Sequence, residues 1–102
     1  SFCFVDDLIE GIYRLMMSDF HEPVNIGNPS EMSIREFADL VNELIQNDAG
    51  TIIKMAKRLG NDPQRRQPDI SRAKSTLNWE PKISFREGLL KTIPYFKRKM
   101  GL

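Results

Sequence analysis

Two adjacent arginines, Arg65 and Arg66, are the residues of this sequence best suited to hold an anion. A guanidinium is planar, keeps its charge when partly buried, and offers paired N–H donors to a carboxylate or a phosphate. Pro63 and Pro68 flank the pair and stiffen the loop, which reduces the entropy lost when a ligand is gripped. Lys54, Lys57, Arg58, Arg72 and Lys74 extend the same basic stretch, with only Asp62 and Asp69 as counterweights. Such a stretch attracts phosphate on a nucleotide, a nucleic acid or a lipid, or it is a solvated surface; composition leaves both open. No Phe, Tyr or Trp lies between Lys54 and Lys74, where a nucleic-acid module would need stacking platforms. A small basic binding module for nucleic acid or a protein partner is therefore disfavoured.

The other reactive side chains have simpler explanations. His21 is the single histidine and sits in a polar turn between Asp19 and Glu22, as a surface residue would. Cys3 lies in an apolar run and reads as core rather than nucleophile. As the only cysteine it forbids an internal disulfide, which suits a reducing cytoplasm. Asp6 and Asp7 are neighbours at the start of a helix, point apart, and read as caps. No Cys/His spacing fits zinc, and Gly27 and Gly60 are isolated turn glycines rather than a phosphate-binding loop. The sequence holds no self-contained catalytic machine.

The elements that must position the arginines are read from periodicity. Phe2, Phe4 and Val5 suggest the end of a strand, followed by a helix capped at Asp6 or Asp7 that buries Leu8, Ile9, Ile12, Leu15 and Met16. Pro23, Val24, Asn25 and Ile26 suggest a short strand, turned by Gly27, Asn28 and Pro29. Ser33 and Glu36 form a capping box, with Met32 and Phe37 set for a hydrophobic staple, before an apolar face of Ile34, Phe37, Ala38, Val41, Leu44 and Ile45. Residues 51–55 are rich in β-formers, and residues 57–68 form the basic loop. A short helix capped by Ser71 follows, and then one opened by a second box, Ser84 and Glu87. That last helix carries Phe85, Leu89, Ile93, Phe96 and Met100 on one side and Pro94 within it. The order β-α-β-α-β-loop-α-α implies a small mixed α/β lobe of short strands packed with four helices.

With 102 residues, 40% hydrophobic and 28% charged, this is one domain of ordinary globular composition. No apolar run approaches the ~18 residues of a membrane span. The first residue is Ser1, directly on an apolar run, so we expect a cut through a larger protein. The net charge of +1 conceals a division: residues 1–48 hold ten acids and two bases, residues 49–102 four acids and thirteen bases.

Four segments in order carry a resemblance: S-F-C-F-V-D-D-L from Ser1, P-V-N-I-G-N-P from Pro23, D-P-Q-R-R-Q-P-D-I-S-R-A-K from Asp62, and L-N-W-E-P-K-I-S-F-R-E-G-L from Leu77. To about Phe96 the chain resembles the carboxy-terminal end of an extended short-chain dehydrogenase/reductase. The D-P-x-x-R-x-P-D-I form is most similar to UDP-glucuronate decarboxylases; nucleotide-sugar epimerases and 4,6-dehydratases are the alternative within the superfamily. The resemblance implies that residues 1–102 are the substrate-binding portion of such an enzyme. An amino-terminal Rossmann domain, outside this sequence, would carry the glycine-rich NAD loop and a Tyr-x-x-x-Lys pair. It further implies a homodimer that binds a UDP-sugar, with NAD recycled, and the lone Cys3 leads us to expect it in the cytoplasm. Arg66 matches the family arginine at the sugar end of the site, or would instead hold the pyrophosphate as basic residues on this loop do in sister families; Arg65 is a weaker candidate for substrate binding, with a surface reading favoured. A phosphate-binding arginine common in the family would precede Ser1, and Phe4 stands where many relatives have tyrosine or histidine. Asn25 and Gly27 read as structural, and Trp79 as a core wedge beside Pro81.

Overall fold

The computed structural model describes residues 1–48, Gly50, Lys54 and residues 65–102. Among them lie four helices, α1 (Val5–Met16), α2 (Ile34–Ile45), α3 (Ser71–Leu77) and α4 (Phe85–Lys99), and no strand. α1 packs on α3, and α2 on α4.

The expected strands at Phe2–Val5 and Pro23–Ile26 are therefore corrected. Phe4 is extended (φ −65°, ψ 141°), but the helix begins at the next residue. The segment at Pro23 is tied by side chains instead of a ladder: the Arg72 guanidinium donates to the Pro23 carbonyl at 2.8 Å. A strand needs a neighbour to take its alternating N–H and C=O groups, and no such neighbour lies among the described residues. The third expected strand, in residues 51–55, and the first part of the basic loop lie outside the described residues, Lys54 apart.

Capping follows the expectation in part. α2 has the full Ser33–Glu36 box: the Glu36 amide donates to Ser33 Oγ at 3.0 Å, and the Ser33 amide to Glu36 Oε2 at 3.2 Å. α4 has half of one, its Ser84 hydroxyl oxygen accepting from the Glu87 amide at 3.2 Å. Two other cap assignments change. Phe4 occupies the N-cap of α1 with no side-chain bond, leaving Asp6 and Asp7 inside the first turn, where negative charge meets the helix dipole favourably. At α3 the cap is Ile70, and Asp69 Oδ1 accepts from both the Ser71 amide (2.9 Å) and the Ser71 hydroxyl.

The core is small. Ile70, Ala73, Leu77 and Trp79 are buried, backed by partly buried Leu15, Val24 and Ile26. α1 approaches this cluster through Gly11, where a Cβ would stand 2.6 Å from Ile26 Cγ2 and 3.1 Å from Trp79 Cε2. Trp79 is wedged in the core as expected, and its indole N–H donates to the Asp7 carbonyl at 2.9 Å. The Asp7 carboxylate is buried too: Oδ2 accepts from the amides of Lys82 (3.1 Å) and Ile83 (2.9 Å). Asp7 thus joins the start of α1 to the connector leading into α4. On the α2–α4 side, Phe2 stacks on Phe37 (4.1 Å, 19°) and meets Phe85 edge-on (6.1 Å, 85°).

Burial departs from the expected stripes in one consistent way. Leu8 and Leu15 are half-buried, but Ile9, Ile12 and Met16 on the same helix are exposed, as are Phe96 and Met100 on α4. Periodicity identifies the apolar faces; the described residues cover only part of each.

Asp6 and Asp7 now separate by experiment. Asp7→Ala strands two amides and is expected to cost about 1–3 kcal/mol, whereas exposed Asp6→Ala changes stability by less than about 0.5 kcal/mol. Denaturant melts followed by Trp79 fluorescence measure both, and equal effects would contradict the assignment.

Candidate substrate-side site

Segment 65–70 lies against the turn at 25–31. Arg65 grips Glu31 with two parallel bonds, Nε to Oε2 at 2.8 Å and Nη2 to Oε1 at 2.5 Å. Two residues on, the Gln67 side-chain amide donates to the Pro29 carbonyl at 3.0 Å. Two further on, the Asp69 carbonyl accepts from Asn25 Nδ2 at 3.4 Å. Between these contacts Pro68 seats on Gly27, where a Cβ would come within 3.0 Å of the proline ring. Asn25 and Gly27 are structural, as their turn position suggested: any side chain at 27 would have to push the proline ring back by a few tenths of an ångström.

The two candidate arginines are placed differently. The Arg65 guanidinium is largely exposed and committed to Glu31. Arg66 is exposed, and its main chain is held by Ser1, whose hydroxyl donates to the Arg66 carbonyl at 2.9 Å. Its guanidinium has no hydrogen-bond, ion-pair or ring partner among the described residues. Of the other basic residues here, Arg72 donates to Pro23 and stands 5.7 Å from the centre of the Phe20 ring.

The carboxyls beside the loop are tuned by these contacts. The hydrogen bonds from Arg65, aided by its charge, hold Glu31 below the ordinary glutamate value. The hydroxyl and amide of Ser71 do the same for Asp69. Cys3 moves the other way: burial first, and then the charge of Asp7, push its thiol up, which suits a core thiol and not a nucleophile. His21 is exposed. Among the described residues no three His, Cys, Asp or Glu side chains converge on a metal position, and no helix is long and apolar enough to cross a membrane.

Sequence reasoning missed Glu31, which pairs with an arginine thirty-four positions away and carries no local signal. It also expected a Tyr-x-x-x-Lys spacing only outside this chain. Tyr95 and Lys99 have that spacing on α4, with Lys99 Nζ 3.4 Å from the Tyr95 hydroxyl, but both are exposed.

Comparison with known proteins agrees with the motif order. The family model for GDP-mannose 4,6-dehydratase matches residues 1–92, and the chain belongs to this family of extended short-chain dehydrogenases/reductases. Tyr95 and Lys99 fall beyond the match. Among curated proteins, UDP-glucuronic acid decarboxylase 6 of Arabidopsis thaliana is 47% identical over 102 residues, covering 100% of this chain and 29% of that protein. UDP-glucuronic acid decarboxylase 1 of Danio rerio and of Xenopus tropicalis are each 45% identical over 100 residues, 98% of this chain and 23% of those proteins. The chain thus spans less than a third of the length of these relatives.

The two lowered carboxyl pKa values have different origins, which salt separates. Each is depressed on folding, so its stabilising contribution is present above the ordinary carboxylate range and lost as pH falls through the lowered value. In an NMR titration, both side chains of the folded chain are expected to titrate below their free-peptide values. Raising salt should move Glu31 back toward normal and leave Asp69 nearly fixed, since only Glu31 owes its shift to an ion pair. A salt-insensitive Glu31 would argue against the Arg65 contact in solution.

Proposed function

We propose that this chain is the substrate-side part of a UDP-glucuronate decarboxylase. The observation that carries the reading is its similarity, along essentially its whole length, to UDP-glucuronic acid decarboxylases of plants and vertebrates. In the complete protein the extended segments at Phe2 and Pro23 would pair with the remaining polypeptide, giving the mixed α/β lobe. The reaction would oxidise the sugar at C4 to a ketone, lose CO2 from the carboxylate on C5, and reduce the ketone to give UDP-xylose. NAD would supply the oxidation and the reduction. The glycines of this chain are too dispersed to cradle a dinucleotide, so NAD would be held by the amino-terminal remainder.

The role assigned to this chain is to hold the anionic substrate. Arg66 supports it, as a guanidinium with no partner among the described residues, on a segment whose main chain and neighbours are tied down. There it would orient the sugar carboxylate and offset the charge that builds on oxygen as CO2 departs. A second reading within the superfamily, a 4,6-dehydratase, is favoured by the description of the family model; there Arg66 would meet pyrophosphate. Either enzyme is expected to be a cytoplasmic homodimer.

The exposed apolar stripe of α1, formed by Val5, Ile9, Ile12 and Met16, fits a chain that rests on another part of its own protein. The isolated 102 residues are expected to self-associate, and Ile12→Asp to reduce that association in sedimentation without lowering the melting temperature.

The full-length protein supplied with UDP-glucuronate and NAD should release CO2 and form UDP-xylose, whereas the isolated chain should neither bind NAD nor turn over. Arg66→Ala in the full-length protein should slow decarboxylation at least ~10-fold, equivalent to about 1.4 kcal/mol of transition-state stabilisation. Conversion of dTDP-glucose or UDP-glucose with no CO2 release would overturn the decarboxylase in favour of its sister activities.

A further inference from the structure

Arg65, Gln67 and Asp69 each reach the 25–31 turn, to Glu31, Pro29 and Asn25 in that order, so the two segments run antiparallel. Arg66 stands between two residues whose side chains are anchored to that turn, its carbonyl is held by Ser1, and its guanidinium has no partner among the described residues. Both oxygens of Glu31 are occupied by Arg65, and the fork-to-fork geometry leaves that guanidinium committed.

We infer that Glu31 and Arg65 are positioning residues for Arg66, and that of the two arginines in segment 65–70 it is Arg66 that meets the substrate anion. The inference rests on the function proposed above and refines it: one fork matches one carboxylate or one phosphate, not two. An exposed ion pair adds little to global stability. Its consequence is directional, because displacement of a charged group by about 1 Å is enough to lower a rate substantially. Arg65 is in this view no ligand, although its charge and its place beside Arg66 suggested one.

The test is steady-state kinetics of UDP-glucuronate decarboxylation by the full-length protein, with the substitutions made in two backgrounds. In the parent, Arg65→Ala and Glu31→Gln should each lower kcat roughly 3- to 10-fold with little change in KM, and the double variant should be no worse than either. In an Arg66→Ala background neither should cause further loss, since there is nothing left to position. The exchanged pair Glu31→Arg with Arg65→Glu should recover activity that each change alone removes. A much larger effect of Arg65→Ala than of Glu31→Gln, or tighter substrate binding on Glu31→Gln, would make Arg65 a direct ligand and overturn the inference. Equal losses in both backgrounds would make the pair merely structural and overturn it as well. If the parent does not decarboxylate, or Arg66→Ala matches it, the proposed function fails; a sensitive Arg66 with an indifferent Glu31 sinks only the positioning role.

Discussion

The arrangement depends on one buried joint, in which Asp7 meets Trp79 and the connector before α4. Asp7 supplies three acceptor contacts from a single residue: its carbonyl to the indole N–H, and its carboxylate to the amides of Lys82 and Ile83. A buried carboxylate is costly unless it is hydrogen-bonded, and two backbone donors meet that requirement. The joint holds the first helix against a segment some seventy residues later, and with it fixes where α3 ends and α4 starts. The aromatic contacts of Phe2 on Phe37 and Phe85 then bring the α2–α4 pair to the same amino-terminal segment. Two helix pairs that share little direct packing are thereby linked through residues 2–7.

Small size sets the second condition. A chain of 102 residues has a high surface-to-volume ratio, and among the described residues the core consists of four buried apolar residues with a few partly buried ones. That core surrounds α3 and the tryptophan, so the elements around the arginine loop are the better-packed part of the molecule. The apolar residues left outside, on α1 and the distal part of α4, have helical spacing and so form faces rather than scattered points. A helix with such a face and no cover within the described residues fits a protein whose relatives are more than three times as long.

These facts explain what the sequence could reveal. The Ser33–Glu36 box and the wedge role of Trp79 were legible because each is decided by local chemistry or by side-chain size. The family was legible from four short segments in order. Strands were not, because a run of β-formers becomes a strand only when a partner takes its hydrogen bonds, and partnership is not written in the run itself. Caps failed where two polar neighbours competed: Asp69 rather than Ser71 accepts at α3, and Asp7 turns inward toward donors seventy-five residues distant. In the site, the loop and its arginines were visible, with Arg66 ahead of Arg65 as the candidate ligand, but the contact that occupies Arg65 was not, because no local pattern singles out its partner Glu31.

The division of charge along the chain acquires a meaning in the same terms. An acidic first half and a basic second half suggested a patch facing an external anion. Of the three ion pairs among the described residues, two join the halves, Arg65 to Glu31 and Arg86 to Glu43. Two more arginines cross without a carboxylate, Arg72 to the Pro23 carbonyl and Arg14 to the carbonyls of Leu77 and Asn78. Part of the opposite charge is therefore used in holding one half against the other. Each arginine so used is removed from the supply available to a ligand, and in segment 65–72 that process accounts for Arg65 and Arg72. Arg66 is what remains: a cation whose flanking residues are fixed by the pairing that neutralises its neighbours. Within segment 65–72 the arginines are thus unequal: two are spent on contacts inside the chain, and the third keeps a guanidinium with no partner among the described residues.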